Sequence, residues 1–143
     1  MSKRILALDV GDVRIGIAVS DPTRTIAQPL ETYRRVGYGP DRKYLAALCQ
    51  RYETDEVLLG LPLNMDGSEG GQAEKTRAFG AVLSEAGFHI YYADERLTSV
   101  TAERAFLEGG LRREERKTHI DKVAAAVILE QWLAKEAERK SCK

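Results

Sequence analysis

The chain has few of the residues on which disulfide-rich, zinc-binding and membrane-spanning proteins depend. Its 143 residues include only two cysteines and two histidines, too few for a disulfide framework, and no Cys-x-x-Cys pair suggests zinc. The apolar stretch near the amino terminus covers only residues 5–8, and no run approaches the roughly 20 residues of a membrane span. We therefore expect a cytoplasmic protein with no membrane partner.

An excess of either charge is also lacking. The 22 basic and 22 acidic residues give a formal net charge of zero, which argues against strong non-specific binding of nucleic acid, because such binding depends on neutralising phosphates. The basic residues are nevertheless clustered, most densely at Arg112, Arg113, Arg116 and Lys117. This basic segment is a candidate phosphate-binding site, and solvated surface charge is the alternative.

The remaining composition is that of a globular chain, with 43% hydrophobic and 31% charged residues. Its length is typical of one domain, so we expect a single domain over residues 1–143. Hydrophobic periodicity predicts the order βββαβαβαα. The predicted strands cover residues 5–8, 14–19, 26–33, 56–61 and 89–93. The first predicted helix begins at an Asp41 cap, after the helix-breaking stretch 37–40. Two further helices are predicted over 72–86 and about 99–108, and a last one from about 120. The face of the 72–86 helix that we expect to be buried consists of Ala73, Thr76, Phe79, Gly80 and Leu83.

This order predicts an α/β fold with a mixed five-stranded sheet and helices on both faces. Three strands joined by short turns form an antiparallel part, and two later strands return through crossovers, parallel to the first. Binding sites in such sheets form at the carboxyl ends of central strands. Functional side chains are therefore expected where the first and last strands end.

Two acidic residues meet that expectation. Asp9 follows the first apolar run, and Glu95 follows the last predicted strand. Each has a structural alternative: Asp9 as a turn residue that bonds nearby backbone, and Glu95 as a strand-end acid that faces water or pairs with Arg96.

A third acid, Asp121, is predicted to open the last helix. At helical spacing it shares one face with Ala124, Ala125, Ile128 and Trp132, and this face would pack on the sheet. The alanines would let the helix approach closely. The alternative is an N-terminal cap, because Thr118 and Asp121 have the spacing of a capping box.

Together the three acids suit a divalent metal site. Carboxylates 4 Å apart repel by about 4 kcal/mol per pair at an effective dielectric near 20. Mg²⁺ or Mn²⁺ would remove that repulsion and prefers oxygen ligands. Two such ions can activate water and stabilise the leaving oxygen in phosphodiester hydrolysis.

Four short blocks, in order along almost the whole chain, resemble the motifs of the YqgF/RuvX family. They are Leu8-Asp9-Val10-Gly11 with Arg14-Ile15-Gly16, Gly60-Leu61-Pro62-Leu63-Asn64 with Gly67-Ser68, Asp94-Glu95-Arg96-Leu97-Thr98, and Asp121-Lys122 before an alanine-rich helix. The resemblance implies an RNase H-like fold and makes Asp9, Glu95 and Asp121 the metal-binding catalytic acids. Arg14 and Lys122, which lie within these blocks, join the basic segment as candidate nucleic-acid-binding residues.

The resemblance also implies a substrate: the 5′ end of precursor 16S ribosomal RNA, with the assembling small ribosomal subunit as a partner. Branched DNA, cleaved by a Holliday-junction resolvase, is one alternative. A non-catalytic RNA-binding module of ribosome assembly is another. An actin-like ATPase, which Asp9-Val10-Gly11 also resembles, would need a second domain that 143 residues cannot supply. The oligomeric state is not predicted.

Overall fold

A computed structural model describes residues 3–64, 66–94 and 113–141. Within these residues, segments with alternating apolar residues form five strands, and segments with helical periodicity form three helices. The strands are β1 (Leu6–Val10), β2 (Arg14–Ser20), β3 (Ala27–Arg34), β4 (Glu56–Leu61) and β5 (His89–Asp94). The helices are α1 (Tyr38–Arg51), α2 (Gly71–Glu85) and α3 (Arg113–Ser141). The helix predicted at about 99–108 lies outside the described residues.

The strands form one sheet in the order β3-β2-β1-β4-β5. β1 is antiparallel to β2 and parallel to β4, while β2–β3 is antiparallel and β4–β5 is parallel. The predicted mixed sheet is therefore confirmed. Because β1, β4 and β5 are parallel, their carboxyl ends meet at one edge of the sheet.

Strand alternation gives the sheet two apolar faces, each with its own core. On one face Leu8 packs with α1 and α2, which contribute Leu45 and Phe79 among others. On the other face the core includes Leu58 and Ile128, the latter from α3. Burying each large apolar side chain contributes about 1.5–3 kcal/mol. The face predicted for α2 is confirmed, since its buried residues are Ala73, Thr76, Phe79, Gly80 and Leu83.

The prediction that Asp41 is the N-terminal cap of α1 is wrong. The helix begins at Tyr38, after Gly37, so Asp41 lies inside its first turn. Pro40 is compatible with this position, because the first amides of a helix have no helical partner to lose. The fully buried Asp41 carboxylate turns back toward the preceding segment. It accepts hydrogen bonds from the Val36 and Gly37 amides, the Arg35 guanidinium and the Tyr33 hydroxyl.

The predicted start of the last helix is also wrong, because α3 begins at Arg113 rather than near residue 120. The upstream stretch 113–117 has no glycine or proline and consists of residues with high helix propensity. Asp121 consequently lies more than two turns inside the helix, where backbone amides already bond to carbonyls four residues earlier. The capping alternative for Asp121 is therefore excluded. Among the described residues no helix, α3 included, is both long and apolar enough to cross a membrane.

Candidate active site

Asp9 lies within β1, where it is the Cα partner of Gly16 in β2. Its neighbours Leu8 and Val10 belong to the core on the α1–α2 face, so alternation directs Asp9 to the face that α3 covers. The side chain is half-buried. Asp9 therefore belongs to the strand ladder rather than to the turn that follows it.

Gly16 brings α3 onto the sheet beside Asp9. A Cβ atom at Gly16 would lie 1.9 Å from the backbone oxygen of Asp121 and 2.8 Å from the Lys122 nitrogen, so only glycine allows this crossing. Cα partners in an antiparallel pair are about 4.5–5.5 Å apart. Asp9 and Asp121, distant in sequence, are thereby brought to the same place on the sheet.

Arg14 is the charged partner of Asp121. Its Nε donates to Asp121 Oδ2 at 2.9 Å, and the two side chains are 36% and 26% exposed. The sequence analysis predicted that Arg14 binds nucleic acid, whereas in the structure Arg14 forms an ion pair with a predicted catalytic acid. Both charges remain within reach of solvent.

The turn after β1 is anchored by side chains from other elements. Gln72 Nε2 donates to the Val10 carbonyl at 3.2 Å, and Arg35 Nη1 donates to the Gly11 carbonyl at 2.9 Å. Lys75 Nζ lies 3.1 Å from Asp12 Oδ1. The two hydrogen bonds to backbone carbonyls fix the carboxyl end of β1 and hence the position of Asp9, whereas the Lys75–Asp12 pair is 61% exposed on both sides and adds little. The sequence analysis missed Gln72 and Arg35, because no local pattern links them to this turn.

The third predicted acid cannot be compared in the same way, since Glu95 lies outside the described residues. Asp94, which precedes it, ends β5 opposite Leu61 of β4, at the edge where β1 also ends. The described residues alone contain no group of three or more acidic, histidine or cysteine side chains able to hold a metal.

The predicted basic residues divide into two groups. Lys122 is half-buried beside Asp121 on α3. The backbone of residues 113–117 belongs to the first turns of α3. The side chains of Arg113, Arg116 and Lys117, and the whole of Arg112, lie outside the described residues.

Two solved nucleases share this architecture. The T. thermophilus RuvC in complex with a Holliday junction substrate aligns with a TM-score of 0.57 at 18% identity, covering 94% of this chain and 96% of that chain. The large terminase nuclease from thermophilic phage G20c aligns with a TM-score of 0.52 at 14% identity, covering 87% and 81%. The protein therefore has the RNase H-like fold of these nucleases.

Sequence comparison is more specific. A family model described as "RuvX: Holliday junction resolvase" matches residues 3–135. A Clostridium acetobutylicum protein is 47% identical over 131 residues, covering 91% of this chain and 97% of that protein. A Lactococcus lactis subsp. lactis protein is 43% identical over 136 residues, covering 93% and 95%. Both carry the name "Putative pre-16S rRNA nuclease".

The chain belongs to the RuvX family. It is thus a member of a family of nucleases, which hydrolyse phosphodiester bonds.

Proposed function

We propose that this protein is a divalent-metal-dependent endonuclease that cleaves near the 5′ end of precursor 16S ribosomal RNA. Asp9, Glu95 and Asp121 are its metal-binding catalytic acids. The observation that carries the proposal is the meeting of Asp9 and Asp121 at Gly16, where a Cβ atom would reach the Asp121 backbone. The names of relatives at 43–47% identity support the substrate.

The chemistry of this acidic pair fits a hard divalent cation. Both side chains offer carboxylate oxygens, the ligands that Mg²⁺ and Mn²⁺ prefer. Two carboxylates at close range repel each other, and Arg14 supplies a single positive charge at Asp121. When bound, such cations activate water and stabilise the leaving oxygen of a phosphodiester.

The chain itself supplies position and charge. Asp9 is held by the β1–β2 ladder, and Asp121 by the packing of α3 on Gly16, so neither carboxylate needs to be ordered when substrate binds. Lys122 and the basic segment Arg112, Arg113, Arg116 and Lys117 bind phosphates on either side of the cleaved bond. Contacts of this kind position a nucleic acid without reading its sequence.

Branched DNA is the second candidate substrate, favoured by the family description, which names a Holliday junction resolvase. The assembling small ribosomal subunit is the partner that the precursor-RNA proposal requires. The two substrates differ in shape, so direct competition between them discriminates.

The test is a cleavage assay in Mg²⁺ and in Mn²⁺ on precursor 16S ribosomal RNA and on a four-way DNA junction. Wild type is compared with Asp9→Asn and with Asp12→Asn, a matched control in the adjoining turn whose side chain is 61% exposed. We expect metal-dependent cleavage of the RNA, abolished only by Asp9→Asn. Faster cleavage of the junction than of the RNA would make branched DNA the substrate instead. Tight RNA binding without metal-dependent cleavage would instead indicate a non-catalytic assembly module.

A further inference from the structure

The ion pair between Arg14 and Asp121 raises a question about charge at the candidate site. Arg14 begins β2, and its carbonyl accepts a hydrogen bond from the Gly11 amide at 2.8 Å. A Cβ atom at Gly11 would lie 2.9 Å from that same oxygen, so this turn is tight. The Arg14 backbone is therefore fixed, whereas its side chain is 36% exposed.

The guanidinium is held weakly. Within the part of the chain that the structure describes, its one hydrogen bond runs from Nε to Asp121 Oδ2, although an arginine has five N–H donors. Ion pairs at exposed positions contribute little net stability, since water competes for both charges. The contact is therefore easily exchanged.

Arg14 and a divalent cation compete for Asp121. Both are positive, so the presence of one lowers the affinity of the carboxylate for the other. The cation carries two charges and Arg14 carries one, so the cation is the stronger competitor. The partly exposed side chain of Arg14 can turn away while its backbone stays in place.

A second observation indicates where the Arg14 side chain goes. Arg14 is the cross-strand partner of Arg34, an exposed residue at the end of β3. Like charges directly opposite each other destabilise a strand pair, and an anion between them removes that cost. Phosphate is the natural anion, because the planar guanidinium fork matches its oxygens.

We propose that Arg14 is the counter-ion of Asp121 in the metal-free protein, that a divalent cation displaces it, and that the released guanidinium binds a phosphate of the nucleic acid. The inference rests on the proposed function. It makes Arg14 the residue that couples metal binding to substrate binding, so that the site accepts nucleic acid best after it has been loaded with metal.

The first test is calorimetric titration with Mn²⁺. Because Arg14→Gln removes the competing charge, we expect this variant to bind Mn²⁺ about fivefold more tightly than wild type, or more. Arg24→Gln is the matched control, since Arg24 pairs with Glu56 at the opposite end of the sheet, and its affinity should equal that of wild type. Arg14→Lys keeps the charge but not the Nε hydrogen bond, so its affinity for Mn²⁺ should lie between those of wild type and Arg14→Gln.

A second measurement follows the wild-type chain, and Arg14→Gln serves only to assign the signal. The Arg14 Nε–H resonance, absent in Arg14→Gln, should have a chemical shift typical of an ion-paired guanidinium when metal is absent. Titration with Mg²⁺ should move it toward the shift of a solvated guanidinium. A resonance that keeps its position at saturating Mg²⁺ would overturn the displacement.

The third test concerns the phosphate. Binding of a single-stranded RNA is measured against salt concentration with and without Ca²⁺, a cation with similar oxygen preference. Arg14→Gln should lower the salt slope by about one unit in Ca²⁺ and leave it unchanged without the cation. An equal slope for wild type and variant in Ca²⁺ would remove phosphate as the acceptor.

The outcomes also separate this inference from the proposed function. If wild type binds no Mn²⁺, or binds it as well after Asp9→Asn, the metal site itself is wrong and the inference fails with it. If Asp9→Asn loses Mn²⁺ but Arg14→Gln matches Arg24→Gln, only the role of Arg14 is overturned.

Discussion

Asp41 and Asp121 are each paired with an arginine, and the surroundings of the two carboxylates differ sharply. Asp41 is fully buried, and Arg35, with which it pairs at 3.1 Å, is 17% exposed. Asp121 pairs with Arg14 at 2.9 Å, but the two side chains are 26% and 36% exposed. The distances alone would make these ion pairs look equivalent.

The difference lies in how many partners each group has. Asp41 accepts hydrogen bonds from two backbone amides and a tyrosine as well as from Arg35. Arg35 in turn lies over the Tyr38 and Phe79 rings and donates to the Gly11 carbonyl. Such a carboxylate is committed to the fold, because any exchange leaves buried groups unpaired. Asp121, whose arginine partner is partly exposed, has no such commitment, which is why we propose that it exchanges this partner for a metal.

The largest expected effect is on cleavage. Asp121→Asn should lower turnover by at least about 100-fold, because a neutral amide is a poor ligand for a hard cation, while the folded protein keeps its stability within about 1 kcal/mol. Asp41→Asn should leave turnover per folded molecule nearly unchanged. Initial rates corrected for the folded fraction provide the measurement, and equal losses in the two variants would erase the distinction.

The second effect is on the free energy of unfolding, for which Asp41 should matter more than Asp121. Asp41→Ala should cost about 3–5 kcal/mol of unfolding free energy, because it leaves the Arg35 charge and two amides without their acceptor. Asp121→Ala, at a partly exposed pair, should cost about 1 kcal/mol or less. Urea unfolding of both variants gives the comparison. A similar cost at the two positions would show that burial is not what separates them.

The third effect tests the contact that holds Asp121 in place. Gly16→Ala should destabilise the fold by about 1–3 kcal/mol and weaken Mn²⁺ binding, because the added methyl must displace the α3 backbone. Gly39→Ala is the matched control: nothing lies within 4 Å of its Cβ position in the first turn of α1. That control should gain about 0.4–1 kcal/mol. Tolerance of Gly16→Ala with unchanged metal affinity would contradict the close crossing.

The smallest effect is on the stability of the protein at low pH. Burial raises the pKa of Asp41, but hydrogen bonds from Val36, Arg35 and Tyr33 outweigh it, so the pKa lies below its ordinary value of 3.8. A lowered pKa in the folded state contributes stability that is complete above the unfolded value and is lost as the pH falls through the folded one. Wild type should lose this contribution to its free energy of unfolding below about pH 3.8. Asp41→Asn, less stable at neutral pH, should show a flatter dependence in urea unfolding at a series of pH values.

The comparison also explains which predictions from the sequence were confirmed. The five strands and the buried face of α2 follow from periodicity, which reports on a few neighbouring residues. The error at Asp41 arose because an acid in a plausible position was interpreted as a cap. The error at the start of α3 arose because the basic stretch 113–117 was not included in the helix. The amides that Asp41 accepts from precede the helix, at Val36 and Gly37, so hydrogen-bond geometry was needed to recognise its role.

The sequence by itself determined the mixed sheet, the helices on both faces and, through its motifs, the family. Only the tertiary structure decided that Asp9 and Asp121 meet at Gly16 and that Arg14 holds Asp121. Glu95, outside the described residues, remains a prediction from the sequence. The physical reason is range: periodicity and turn chemistry act over a few residues, whereas the meeting of Asp9 and Asp121 depends on how closely a distant helix can pack on the sheet. One missing Cβ atom, at Gly16, sets that distance.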